Sequence, residues 1–134
     1  SIGNTQNVSV ETGNLVIKSS TKGIVHTSMG TVTQTTNLRT GVTLNATCGV
    51  ITLVAAALAT DAREEFIVTN GTVQADSLIM VSIQDNNTTA NQQLVCATSD
   101  IASGSFKVRL INTGASAATS VHASKIHFLV INNS

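Results

Sequence analysis

The chain has no proline, no tryptophan and no tyrosine, and its only aromatic residues are Phe66, Phe106 and Phe128. Without exposed rings it lacks the stacking platforms that hold single-stranded nucleic acid. A cellular carbohydrate-binding module would also miss its customary tryptophan or tyrosine platform. Charge is scarce too, seven Lys and Arg against seven Asp and Glu. No basic stripe is present to neutralise a phosphate backbone, so nucleic acid is not an expected partner. No apolar run is long enough to span a bilayer; the most apolar, Val50 to Ala59, is interrupted by Thr52, and membrane insertion is not expected. The chain opens without a charged start, apolar core or cleavage signature and without methionine, and so reads as a piece of something longer. Its two cysteines, Cys48 and Cys96, lack the close Cys or His spacing of a metal or redox site. Either they are separate buried thiols, the favoured reading because free Cys is so often buried, or they form one disulfide. No cofactor or metal is expected.

What the chain has instead is β-branched residues: Thr, Val and Ile supply 46 of its 134 positions. Such residues prefer strands, and 134 residues suffice for one domain with a real core. A core of Val, Ile, Leu and Ala with three phenylalanines suits a thin β-sandwich better than a ligand cleft. The surface is rich in Thr, Ser and Asn, a composition found on extracellular and virion surfaces. The last expected strand, residues 125–131, directs Ile126, Phe128 and Val130 to one face and Leu129 and Ile131 to the other. A strand apolar on both faces needs a cover on both, so it is expected inside a sandwich or at a subunit contact.

Residues 1–29 differ from the rest. Short runs at 6–10, 15–18 and 23–27 are separated by the turns Glu11-Thr12-Gly13-Asn14 and Ser19-Ser20-Thr21-Lys22. Three short strands bury little area alone, which predicts an N-terminal β arm or stalk end laid on the following domain or wrapped around identical neighbours. Residues 30–134 read as a compact antiparallel β-sandwich, jelly-roll-like, of about eight strands. These are expected at 31–36, 42–45, 48–54, 65–69, 78–83, 93–98, 103–111 and 125–131. The Ala-rich stretch 55–65 is expected as a loop, although Thr60 or Asp61 could cap one helical turn. Asn70-Gly71 gives the strongest turn signal, because both residues tolerate positive φ.

Candidate chemistry is sparse. Glu64 and Glu65 are adjacent and point to opposite faces of a strand, so they cannot converge on one bond as glycosidase carboxylates must. The scattered His26, His122 and His127 have no serine elbow to serve. His127 is expected as a hydrogen-bonded core or interface histidine. The loop Asp85-Asn86-Asn87-Thr88-Thr89-Ala90-Asn91 is the best candidate recognition surface. The carboxylate, amides and hydroxyl of Asp85, Asn86, Asn87, Thr88 and Asn91 match the donors and acceptors that bind sugar hydroxyls; the plainer alternative is a solvated hairpin tip. Lys107 and Arg109 share one face of a strand. They could hold an acidic sugar or a neighbour's carboxylate, or be solvated edge charges that discourage aggregation, and the second reading is favoured. Sequons at Asn7, Asn45, Asn70, Asn86, Asn87 and Asn132 are of the number such a composition produces by chance.

The run Gly30-Thr31-Val32-Thr33-Gln34-Thr35-Thr36, followed by Thr40-Gly41-Val42-Thr43-Leu44-Asn45, resembles a module at the C-termini of phage tail-fibre and tailspike-like proteins. It also resembles the C-terminal part of a large surface protein of chlorella viruses. Phe66-Ile67-Val68-Thr69-Asn70, Gly104-Ser105-Phe106-Lys107-Val108 and residues 126–132 match in the same order. Gly13-Asn14-Leu15-Val16-Ile17 and Lys22-Gly23-Ile24 resemble the short β-repeats that precede such heads. The Asp61 region departs from the pattern, which has a glycine-containing turn after Leu58-Ala59. The resemblance implies a homotrimeric β-sandwich head displayed on a virion and contacting host glycans. Binding would be weak per subunit and strengthened by several copies. Two rivals stand beside it: a purely structural trimerisation or capsid-decoration domain without ligand, and a domain that degrades cell-wall polysaccharide.

Overall fold

The computed structural model describes residues 10–26, 29–87, 91–119 and 123–133. Ten strands are present among them: β1 (Gly30–Thr33), β2 (Val42–Thr43), β3 (Cys48–Thr52), β4 (Ala57–Leu58), β5 (Arg63–Thr69), β6 (Leu78–Gln84), β7 (Leu94–Ala102), β8 (Ser105–Asn112), β9 (Ala118–Thr119) and β10 (Lys125–Ile131). Alternation decides how they pack. On β8, Phe106, Val108 and Leu110 are fully buried while Arg109 between them is exposed. On β10, Ile126, Phe128 and Val130 are buried on the same period of two. Two four-stranded sheets, ordered β1-β3-β10-β6 and β2-β5-β8-β7, bury these faces against each other. The Phe106 and Phe128 rings meet edge to face across the core, with centroids 5.7 Å apart. The all-β sandwich expected from the sequence is the fold observed.

The sheets are not wholly antiparallel. β1 pairs with β3, and β2 with β5, in parallel. In each case the edge strand and its longer parallel neighbour are separated by a passage of the chain through the other sheet, which a hairpin cannot supply. In the two-residue ribbon β4–β9, β4 lies inside the stretch expected as a loop and β9 between the last two expected strands. Two-residue strands leave no alternation to read.

The arm departs from expectation. The chain bends at residues 11–13 and turns at 19–22, where Ser19 Oγ accepts from the amides of Thr21 and Lys22 at 3.2 and 3.0 Å. Yet residues 10–26 pair with nothing as strands and are exposed throughout. The expected strand at 15–18 therefore does not form, nor does that at 23–27 over its described residues. A lone short ribbon cannot hold itself together in water. Of the run at 6–10, all but Val10 lies outside the described residues.

Asn70 and Gly71 also act differently from a positive-φ hairpin, since neither has positive φ. Asn70 is fully buried. Its Oδ1 accepts from Thr72 N at 3.0 Å and its Nδ2 donates to the Ala46 carbonyl at 2.7 Å. The turn is thus held by a side chain that replaces a main-chain partner. Asp61, by contrast, takes φ 60°, the conformation a turn glycine would supply and one that aspartate tolerates.

The strand directions sort the connections between two ends. Gly30, the 44–47 loop, the 70–77 connection, the β7–β8 turn and the close of β10 share one end. At the opposite end lie residues 34–38, 53–62, 85–87, 91–93, 113–119 and 123–124. We refer to these as the root end and the loop end.

Candidate functional site

Polar side chains with almost no exposure hold the loop end in place. Gln34, 2% exposed, donates through Nε2 to the carbonyls of Leu38 and Thr40 at 3.2 and 2.8 Å, and accepts from Val54 N at 3.4 Å. One amide therefore joins the 34–41 and 53–62 segments. Asn112, fully buried, donates to the carbonyls of Leu58 and Ser116 at 2.9 and 3.0 Å and accepts from Gly114 N at 2.8 Å. Ser124, also fully buried, accepts at Oγ from Asn86 N at 3.1 Å. Gly114 has no room for a side chain, because a Cβ there would lie 2.3 Å from the Asn91 carbonyl oxygen.

The expected recognition loop is part of this scaffold. Asp85 Oδ1 accepts from the main-chain and side-chain amides of Asn87, and its Oδ2 accepts from Leu94 N at 2.8 Å. Asn86 Nδ2 donates to the Ala123 carbonyl at 3.2 Å. The Asn91 carbonyl takes Ser116 N at 3.0 Å and Ser116 Oγ at 3.2 Å. The carboxylate singled out for sugar is thereby committed to its own loop, and Asn91 and Gln93 give the segment its exposed side chains among the described residues. Thr88 lies outside the described residues.

Lys107 and Arg109 do not join that loop. They lie on β8 several residues along from the Leu94–Asn112 pairing that anchors it, roughly 10–17 Å away at strand rise. β8 is a central strand, so these are not edge charges as the sequence suggested. They are cross-strand partners of the chain's own carboxylates. Arg109 meets Glu65 at 2.8 Å, and Lys107 meets Asp100 at 2.6 Å and Glu65 at 3.3 Å. Hydrogen bonds from Ser99 and then Arg109 hold the Glu65 carboxyl below its ordinary value. Bonding to Asp100 and then Glu65 lifts Lys107 above the usual lysine value. With both cations already paired, an acidic sugar would have to displace an internal partner.

The loop end also forms a cleft that the sequence did not reveal, a hollow of about 290 Å³ lined by Asn37, Leu38, Arg39, Ala56, Ala57 and Glu64. Arg39 and Glu64 form a two-point ion pair through Nε and Nη2 that raises the guanidinium pKa further. The Arg39 side chain remains 75% exposed. Asn37 Oδ1 accepts from Arg39 N at 2.9 Å and sets the turn. Beside it Thr36 holds φ 65°, a conformation costly for a β-branched residue. In the sequence Glu64 stands out only as half of an acidic pair. Its partner, 25 residues earlier, arrives through the parallel β2–β5 crossover, which no local pattern announces. Glu64 and Glu65 do diverge as expected, one to this cleft and the other to β8.

Cys48 and Cys96 are both free thiols. They lie on opposite sheets, and burial pushes the Cys96 thiol up. His127 is half-buried, with Nε2 3.4 Å from Gln84 Oε1. The chain matches no family model, no curated protein and no solved structure.

Proposed function

We propose that this domain is the head of a viral surface fibre or spike. In this reading it sits on the virion as a homotrimer and attaches to host-cell glycans through its loop end. The observation that carries the proposal is the separation of the two ends. The cleft and its pinned polar segments lie at the loop end, while the N-terminal segment joins at the other through Gly30. A display module needs that arrangement, with a rigid, hydrogen-bonding surface held away from its attachment. Rigidity matters because a shallow sugar site gains little area and must avoid losing loop entropy on binding. The cleft offers a guanidinium, a carboxylate and an amide within one hollow, the groups that bind sugar hydroxyls.

The reading is of binding and not of turnover. Glu64, Glu65, Asp85 and Asp100 are each engaged by a cation or a main-chain amide of their own chain, which suits structure better than general acid–base chemistry. The test is adsorption of the purified chain to intact bacterial or algal host cells and their wall polysaccharides, compared with Arg39→Ala. Binding that free glycan competes away and Arg39→Ala weakens at least about tenfold, the worth of one charged hydrogen bond, supports the proposal. Absence of adsorption favours the purely structural rival, and release of soluble sugars from the walls favours the enzymatic one.

A further inference from the structure

Three of the four outer sheet edges are protected against pairing with another chain, and one is not. β1 is four residues long and β2 only two. β7 is irregular between Ser99 and Ala102, where Asp100 takes φ 48°. Short strands, bulges and edge charges are the usual guards. β6 has none of these. It runs seven residues, Leu-Ile-Met-Val-Ser-Ile-Gln, without charge or proline. It pairs with β10 in unbroken register from Leu78↔Ile131 to Gln84↔Lys125. Its other side has no strand partner among the described residues.

Both flanks of this edge are apolar. On the outer face Leu78, Met80, Leu129 and Ile131 are 58, 55, 37 and 44% exposed. A shallow groove of about 280 Å³ runs between Cys48, Met80, His127 and Leu129. On the inner side Val81 and Ile83, with Cys96 and Ile101 of β7, are only partly buried where β7 of the second sheet comes alongside β6.

The same chain carries a segment with the opposite need. Leu15, Val16 and Ile17 are 74, 62 and 46% exposed and pair with nothing. As a strand this run is apolar on both faces, so it requires an acceptor apolar on both flanks of one edge. We propose that the β6 edge accepts residues 15–18 of a second copy of this chain, added as a fifth strand to the β1-β3-β10-β6 sheet. Neither surface carries an acidic residue, and Lys18 falls at the end of the run, where its charge reaches water. The donor is a second copy because within the single chain the run stays unpaired and exposed instead of lying on its own β6 edge. It joins at β1, three strand spacings from β6, roughly 14 Å. His26 Nε2, 3.4 Å from Thr47 Oγ1, marks its path beside the β2–β3 loop. Passed head to tail, such an exchange gives a ring where the rotation between copies closes and an open filament where it does not. The inference deepens the self-association in the proposed function and does not depend on glycan binding.

Light scattering on the whole chain, with Ile17→Asp in the donor and Met80→Lys in the acceptor, tests it. Both positions are exposed, so each variant keeps the head's circular dichroism. The expected result is a wild-type mass of several chains, falling to a single chain in both variants. Association should weaken at least about 100-fold, because a charge would otherwise be buried without a partner. Hydrogen exchange should show the amides of residues 15–18 protected in the wild type and open in Met80→Lys. A monomeric wild type overturns the inference, and so does a multimer that survives either substitution. A monomer that still binds host glycan leaves the attachment reading standing, whereas a multimer that binds nothing leaves only this one.

Discussion

Asn112→Ala should show how far the loop end is part of the fold. The side chain is fully buried at the end of β8 and makes three hydrogen bonds, all to main-chain groups of other segments. Each is worth about 1 kcal/mol net, and a buried group left unpaired costs about 1–3 kcal/mol. The Leu58 carbonyl, on a residue 4% exposed, has little access to replacement water, whereas Ser116 lies at the surface. Together these give a loss of about 3 kcal/mol. With an m-value of about 1.5 kcal/mol/M, the urea midpoint falls by about 2 M. Asn112→Asp provides the chemical control. It keeps an acceptor for Gly114 N but turns a carboxylate oxygen toward two carbonyls in a buried site, so it should cost at least as much. Thr113→Ala, exposed and one residue on, should shift the midpoint by less than about 0.5 kcal/mol equivalent. A loss below about 1 kcal/mol for Asn112→Ala would refute the reasoning. So would normal unfolding accompanied by fast exchange at Gly114 and Asp61 alone, because the loop end would then melt independently of the sandwich.

Gly49→Ala should destabilise, against the usual benefit of replacing a strand glycine. Its Cβ would lie 2.8 Å from both Leu44 Cδ2 and Phe128 Cε1, and overpacking of this kind costs about 1–3 kcal/mol; a neutral or stabilised variant in urea denaturation would contradict it. Ser99→Ala should move the Glu65 titration up toward the ordinary glutamate value, since Ser99 is the first cause of its depression, as followed by NMR of the carboxyl carbon. The sign follows from linkage: a carboxyl held low in the folded chain stabilises it above the ordinary glutamate value, and that contribution disappears as pH falls through the lowered one. Ser99→Ala should therefore flatten the acid limb of stability, and an unmoved Glu65 titration would show that the Ser99 bond is not made in solution.

The sandwich was legible because its signal is local and repeated. Phe106, Val108 and Leu110 alternate with Lys107 and Arg109, and that period alone places β8 and its buried face. What was not legible depends on partners distant in sequence. Arg39 meets Glu64 only because β2 runs parallel to β5, and a parallel crossover leaves no turn signature of the hairpin kind. Asp85 was recognised as chemically able but not as already occupied, since Leu94 N approaches it only after the loop closes. Asn70 shows the same limit. A residue chosen for the turn it could make by its own φ in fact makes it by its side chain.

The two faces of β10 carry the last step. Ile126, Phe128 and Val130 are covered by the second sheet, whereas Leu129 and Ile131 are not covered within the chain. Alternation says that a strand has an inner face; it does not say whether the other face meets water or a neighbour. Two exposed apolar residues along an ordinary strand would be unremarkable, since more than half of any protein surface is apolar. Here they adjoin an unguarded edge, in a chain that guards its other edges by shortness, irregular pairing or charge. Selection for solubility alone would place a lysine or a bulge on β6 as readily as on β7. Its absence there, together with an unpaired apolar run in the same chain, makes a second copy the economical occupant. The proposed attachment, strengthened by many weak contacts, would require that copies be held together, and the proposed exchange at the β6 edge would hold them.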